Sequence, residues 1–160
     1  MNDINILHLL HRRKNFAELS YFLLSKCKFK NFDITICGIK DVDEKEVYEL
    51  YDKVKHFGLN IKFLIVDEEA HNYTVKLKTA VKLNYKYTIK MDEDIFLGPN
   101  AWDYFFNNVS ILDNDENILL TPALSTGIPT ADDFIKNNFN EEEQEEIKSL
   151  FNKTNVPSNL

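Results

Sequence analysis

The sequence predicts an α/β fold of the Rossmann type, a mainly parallel sheet flanked by helices. Three observations lead to this prediction: strand-like and helix-like segments alternate four times, the strands are rich in β-branched and apolar residues, and each helix has one apolar face. Because strand–helix–strand units make right-handed crossovers, this alternation favours parallel strands with helices on both faces.

Composition limits the functional classes. The 160 residues, 44% of them hydrophobic, are enough for one domain with a core. The net charge of -7 argues against a nucleic-acid-binding protein, which needs many Lys and Arg side chains. Cys27 and Cys37 lie in apolar segments and are expected to be reduced, as in a cytoplasmic protein. No run resembles a signal peptide or a transmembrane segment, so we expect a cytoplasmic protein and leave peripheral attachment to the inner face of a membrane open.

The chain opens with a strand and a helix. Residues 4–10 form a short apolar run, which predicts the first strand. Asn15 and Glu18 have the spacing of a capping box at a helix start. Apolar residues at helical spacing follow, so we predict a helix over residues 16–27.

The same order of elements repeats along the next forty residues. Residues 32–39 are β-branched and apolar and predict the second strand. Asp43 and Glu46 form a second capping-box pattern, and Gly58 suits the end of the helix that follows it. Residues 60–66 predict the third strand.

The alternation continues beyond the third strand. An apolar face over residues 73–81 predicts a helix, and residues 86–91 predict the fourth strand. Pro99 is suited to the first turn of a further helix, in which Trp102 belongs to the apolar face. Residues 117–123 predict the fifth strand.

The pattern changes after the fifth strand. We predict a loop over residues 125–139 and an acidic amphipathic helix over residues 140–151, with Ile147 and Leu150 facing inward. The remaining residues form a polar tail.

Acidic residues Asp92, Glu93 and Asp94 follow the fourth strand. In an extended segment Asp92 and Asp94 point to the same side, because side chains alternate with period two. Two carboxylates on one side suit a hard cation such as Mg²⁺ or Mn²⁺, and ligands of open α/β sheets bind at the carboxyl ends of strands. A solvated acidic turn has the same pattern, so spacing alone leaves both interpretations open.

The stretch YKYTIKMDEDIFLGPNAW resembles the segment of family-2-like GT-A glycosyltransferases in which an apolar strand runs into a D-x-D motif. In those enzymes the motif binds the metal ion that bridges the phosphates of a nucleotide diphosphate-sugar. The resemblance extends back to the first strand and covers residues 4–124. It implies a GT-A fold, Mn²⁺ or Mg²⁺ as cofactor, and transfer of a sugar from the donor to an acceptor hydroxyl.

The resemblance also implies roles for individual residues. Asp92 and Asp94 would hold the metal ion. Lys76 stands where family members have Arg, and Asp41 matches the acidic residue that contacts the base. The basic loop after strand one is a candidate contact for the diphosphate, near a helix N-terminus. The substrate-binding residues predicted in this way are His11, Arg12, Arg13, Asp41, Lys76 and Asp92, and the candidate catalytic bases are Asp132 and Asp133.

The same reasoning divides the chain into two regions. We assign residues 1–124 to a nucleotide-sugar-binding α/β domain and residues 125–160 to the start of the acceptor side. Family members place their acceptor-binding elements well downstream of the motif, so we expect a truncated version that holds a donor but transfers sugar poorly. The acceptor, whether saccharide, lipid or protein, is left open.

Two alternatives have different functions. A nucleotidyltransferase shares this architecture but would usually carry a Gly-rich basic loop after strand one, which the sequence lacks. A non-catalytic module of the same fold would bind a nucleotide or a protein partner. The sequence contains no G-x-G-x-x-G, Walker A or G-x-S-x-G motif, which argues against several other enzyme classes.

Overall fold

A computed structural model of the chain describes residues 2–10, 14–67, 78, 82–92, 96–114 and 131–152. Within these ranges there are four strands and five α-helices. The strands are β1 (Ile4–Leu9), β2 (Phe32–Ile39), β3 (Ile61–Val66) and β4 (Tyr87–Met91). The helices are α1 (Lys14–Ser25), α2 (Glu44–Val54), α3 (Pro99–Asn108), α4 (Ala131–Asn138) and α5 (Glu141–Asn152). Short 3-10 turns, Lys55–Phe57 and Val109–Asn114, extend α2 and α3.

The described strands form one parallel sheet in the order β3-β2-β1-β4. This confirms the predicted parallel α/β architecture and all four of the first predicted strands. The chain steps from β1 to β2 to β3 in one direction and then returns to the other side of β1 with β4. The strand order therefore reverses between β1 and β4. The predicted helix over residues 73–81 lies outside the described residues apart from Lys78, which is helical, and the predicted strand over residues 117–123 lies outside them altogether.

One face of the sheet carries the main core. Alternate residues of the central strands, including Ile6, Ile34 and Ile36, are fully buried beneath the helices α1, α2 and α3. Trp102 is 2% exposed and stacks on Phe106 with 5.7 Å between ring centroids. This confirms that the aromatic spacing of the helix after Pro99 belongs to core packing.

The opposite side of α1 carries a second apolar cluster. Residues of α1 pack there against α4 and α5, and the members are Leu19, Phe22, Leu23, Ile135, Phe139, Ile147 and Leu150. The predicted inward face of the last helix is therefore confirmed at Ile147 and Leu150. The predicted loop over residues 125–139 is wrong over its second half, because Ala131–Asn138 forms α4. Ile135 and Phe139 are four residues apart and both reach this cluster, which stabilises a helix there.

The two predicted capping boxes and the predicted C-cap glycine have different outcomes. Asn15 was predicted to precede the first helix, but α1 begins at Lys14, so Asn15 lies inside it. Asp43 does occupy the N-cap of α2, although its side chain makes no capping hydrogen bond. Instead its Oδ2 accepts a hydrogen bond of 2.8 Å from the backbone N–H of Ile39. Gly58 ends the following turn with φ of 71°, the left-handed conformation expected of a C-cap glycine.

The amino edge of the sheet is held by a buried carboxylate. Asp33 is 1% exposed and accepts hydrogen bonds from Asn2 (2.9 Å) and Tyr85 (2.7 Å), and also from Asn60 and Lys62. Burial alone would raise the pKa of Asp33, but the hydrogen bonds from Lys62, Tyr85 and Asn2 outweigh it and lower that pKa below its ordinary value. One side chain thus ties together the segments that begin all four strands.

Two further predictions concern the cysteines and membrane-spanning helices. Cys27 and Cys37 are both buried and free, as predicted. Among the helices that the structure describes, none has the length and apolar character needed to cross a membrane.

Candidate functional site

The carboxyl ends of the four strands meet at one edge of the sheet. They end at Leu9, Ile39, Val66 and Met91. In the β1–β4 pair His8 lies opposite Met91, so the chain leaves the sheet beside Leu9 on one strand and at Asp92 on the other. The strand order reverses between these two strands, and we call this part of the edge the β1–β4 switch point. Open α/β sheets bind their ligands at such a point.

Asp92 is the first residue beyond β4. Its side chain is 50% exposed, and its carboxylate forms an ion pair with the ammonium of Lys90, which is 36% exposed. Lys90 stands two residues earlier on the strand, so both side chains project to the same side. The sequence reasoning missed Lys90, although the same period-two spacing that singled out Asp92 and Asp94 also includes it.

The turns after β2 and β3 contribute charged groups farther along the edge. Asp41 is exposed and has a φ of 61°, within the tight turn that leads from β2 to α2. Next to it, the ammonium of Lys40 lies 3.0 Å from a carboxylate oxygen of Asp67, which follows β3. The hydrogen bond to Asp67 and the charge of that carboxylate raise the pKa of Lys40. Since β1 lies between β2 and β4, Asp41 and Asp92 follow non-adjacent strands.

Close packing of α2 on β2 sets the path of that turn. A Cβ atom at Gly38 would lie 2.7 Å from Cγ2 of Val47 and 2.9 Å from Cβ of Asp43. Glycine therefore allows the start of α2 to approach the strand. The hydrogen bond from Ile39 N–H to Asp43 closes the turn from within and fixes Asp41 on the solvent side.

A buried histidine lies on β1, one of the two strands at the β1–β4 switch point. His8 is 0% exposed, and its Nδ1 lies 2.9 Å from the hydroxyl of Tyr21 on α1. His8 is therefore a core residue with a hydrogen-bond partner, and its burial separates it from the solvent-facing Asp92.

Several predicted site residues lie outside the described part of the chain. They are His11, Arg12, Arg13, Lys76 and Asp94. Asp132 and Asp133 were placed in a loop, and that placement is wrong, because both belong to the first turn of α4. Their side chains are not among those described, so their role as a base stays a prediction.

The donor set can be compared with what a divalent cation requires. Among the residues described, no group of three or more His, Cys, Asp or Glu side chains converges in a way that would hold a metal ion. The predicted pair includes Asp94, which lies outside them, and leaves Asp92 as the one described member. Mg²⁺ commonly binds through one or two carboxylates and completes its shell with water and substrate phosphates, so an exposed carboxylate just beyond β4 is chemically compatible with it.

Comparison with known proteins adds no assignment. No protein-family model matches the chain, and no curated protein gives a significant match.

Proposed function

We propose that the chain binds a nucleotide diphosphate-sugar through a divalent cation at the β1–β4 switch point and takes part in glycosyl transfer. The observation that carries this proposal is the strand order β3-β2-β1-β4. Its reversal falls between β4, which Asp92 follows, and β1, which precedes His11–Arg13 in the sequence. The D-x-D pattern thus follows the one strand end at which this topology favours ligand binding.

Each residue has a chemical task in this proposal. Asp92 and Asp94 would hold Mg²⁺ or Mn²⁺, which, when bound, acts as a Lewis acid that offsets the charge on the leaving nucleoside diphosphate. Arg12, Arg13 and Lys76 would neutralise the phosphates, with His11 beside them and Asp41 toward the base. Asp132 or Asp133 would accept the proton of the attacking hydroxyl.

Lys90 supports the assignment of Asp92 to ligand binding. A half-exposed ion pair contributes little to stability, roughly 0–1 kcal/mol, so its ammonium can be exchanged for another cation at low cost. Once released from Asp92, the ammonium becomes a further positive group beside the diphosphate.

Calorimetry tests the binding step. The protein is titrated with UDP and with GDP, first in Mn²⁺ and then in EDTA. Tight nucleotide binding is expected in Mn²⁺ and not in EDTA. Asp92→Asn is expected to remove the metal-dependent part. Asp52→Asn is the matched control, since Asp52 is also an exposed aspartate that pairs with a lysine, Lys55. Equal nucleotide affinity with and without metal would contradict the proposal.

Donor turnover separates the enzyme from a non-catalytic module of the same fold. Incubation with UDP-glucose and GDP-mannose, with and without Mn²⁺, is expected to release UDP or GDP slowly even when no acceptor is added. Release that depends on the metal and on Asp92 supports glycosyl transfer. Tight binding with no release, with or without a panel of acceptor saccharides, favours the binding module.

A further inference from the structure

A groove opens at the amino edge of the sheet, opposite the proposed donor site. It has a volume of about 540 Å³. It lies between the starts of β1 and β4, the segment before β2, and the end of α3 with the 3-10 turn that follows. A volume of this size lies within the range of small-molecule sites, roughly 300–1,000 Å³.

The rim of the groove is rich in uncharged hydrogen-bonding groups. Three amides and a hydroxyl contribute to it, from Asn2, Asn31, Asn107 and Ser110. An amide offers both donors and acceptors, and a hydroxyl does the same. Asp3 is the one charged residue among those that line the groove. Such a rim suits a neutral ligand with many hydroxyl groups and is unfavourable for an anion.

The inner surface of the groove is apolar and held in place by packing. Phe106 is 4% exposed and stacks on Phe29 with 5.0 Å between centroids, and Ile4 lies beside them. Phe106 is buried and Phe29 partly buried, and with Ile4 they give the groove an apolar inner surface of the kind that packs against the C–H groups of a sugar.

Tyr87 forms a preorganised wall of the groove. Its hydroxyl lies 2.8 Å from Oδ1 of Asp113, and Lys86 donates to the other oxygen of that carboxylate at 2.8 Å. Its backbone N–H donates to the carbonyl oxygen of Asp3 at 2.9 Å. The ring is thus fixed before a ligand arrives, which lowers the entropic cost of binding.

We propose that this groove binds a neutral saccharide, of one or two sugar rings, in a site separate from the proposed donor site. The proposal rests on the rim, the apolar inner surface and the fixed tyrosine, and it is independent of the proposed glycosyl transfer.

An NMR titration of the 160-residue protein tests it. The probes are the methyl glycosides of glucose, galactose, mannose and N-acetylglucosamine at millimolar concentration, with adenosine as the competing class of ligand. We expect at least one glycoside to shift amide signals of residues 2–4, 29–31, 87 and 106–110. Asn107→Leu and Asn31→Ala each remove rim hydrogen bonds and are expected to weaken binding about fivefold.

The control variant is Asn152→Leu, which changes an exposed helical asparagine outside the groove and is expected to bind as the natural chain does. The spectrum of each variant also reports whether it is folded. The proposal is overturned if no glycoside shifts these signals, if adenosine shifts them and the glycosides do not, or if both rim variants bind with unchanged affinity.

Discussion

A carboxylate lies at each edge of the sheet, and the two are held in opposite ways. At the amino edge, Asp33 is 1% exposed and accepts hydrogen bonds from several side chains. At the carboxyl edge, the side chain of Asp92 is 50% exposed and pairs with Lys90. A buried carboxylate whose oxygens are already occupied serves the fold, whereas an exposed one with an exchangeable partner is available to a ligand. The comparison therefore assigns a structural role to Asp33 and leaves Asp92 available for the proposed cation.

The largest expected effect is the loss of Asp33. Asp33→Ala should lower the free energy of unfolding by about 2–4 kcal/mol, because it leaves the donors of Asn2, Tyr85 and Lys62 without their acceptor. Lys62 is 44% exposed and regains water, which keeps the cost below that of a fully buried pair. Urea denaturation followed by the fluorescence of the single tryptophan, Trp102, measures the change.

Asp52→Ala is the matched control, an exposed aspartate that also pairs with a lysine. Its expected effect is within about 0.5 kcal/mol. Similar losses in the two variants would remove the distinction between a structural and a solvent-exposed carboxylate on which the comparison depends.

The next largest effect is expected at Gly38, near the carboxyl edge. Gly38→Ala places a Cβ within 2.7 Å of Val47 and should destabilise the protein by about 1–3 kcal/mol. At the carboxyl edge, substitutions are therefore expected to be tolerated in the loops beyond the strands but not at Gly38. Gly58→Ala is an informative second variant, because a Cβ there meets no atom within 4 Å and the cost comes from the left-handed φ of 71° alone. A stable Gly38→Ala variant would show that α2 can move away from β2.

The pH dependence of stability separates the charge of Asp33 from its packing. The pKa of Asp33 is lowered in the folded chain, chiefly by hydrogen bonds that outweigh the effect of burial. Its charged form therefore contributes stability that is fully present above the unfolded pKa of about 3.9 and is lost as the pH falls through the lower folded pKa. The urea midpoints of the natural chain and of Asp33→Asn should differ most near neutrality and converge in acid. A constant difference across this range would assign the effect to shape instead of charge.

The sequence predicts the strands well because their signal is local. Residues 32–39 are β-branched and apolar throughout, and β2 spans the same residues. The strand order is a tertiary property, so periodicity alone could not reveal that β4 returns to pair with β1. The helix over Ala131–Asn138 was missed because its apolar residues are few and gain their meaning only from packing on α1.

Capping shows why local patterns fail at some helix starts. Asn140 and Glu143 form a reciprocal capping box, with bonds of 3.0 and 3.1 Å between side chains and backbone N–H groups. Asp43 has the same spacing to Glu46, yet its carboxylate turns back to Ile39. Both starts fit one sequence pattern, and the neighbouring turn decides which bond forms. At the candidate site, Asp92 and Asp41 were proposed from the sequence. Lys90 shares the period-two spacing of Asp92, but its ion pair with Asp92 is seen only in the structure.

The smallest expected effect on stability, and the most informative about function, is at Asp92. Asp92→Asn should change the free energy of unfolding by no more than about 0.5 kcal/mol, because a half-exposed pair with Lys90 contributes little against its entropic cost. The same variant should lose metal-dependent binding of UDP or GDP. Asp92→Asn is thus expected to affect binding and not stability, whereas the main effect of Asp33→Ala is on stability. Urea denaturation and calorimetry on one preparation of each variant supply both values. If Asp92→Asn destabilised the chain as much as Asp33→Ala, its loss of nucleotide binding would be explained by unfolding, and Asp92 would no longer be distinguished from a structural carboxylate.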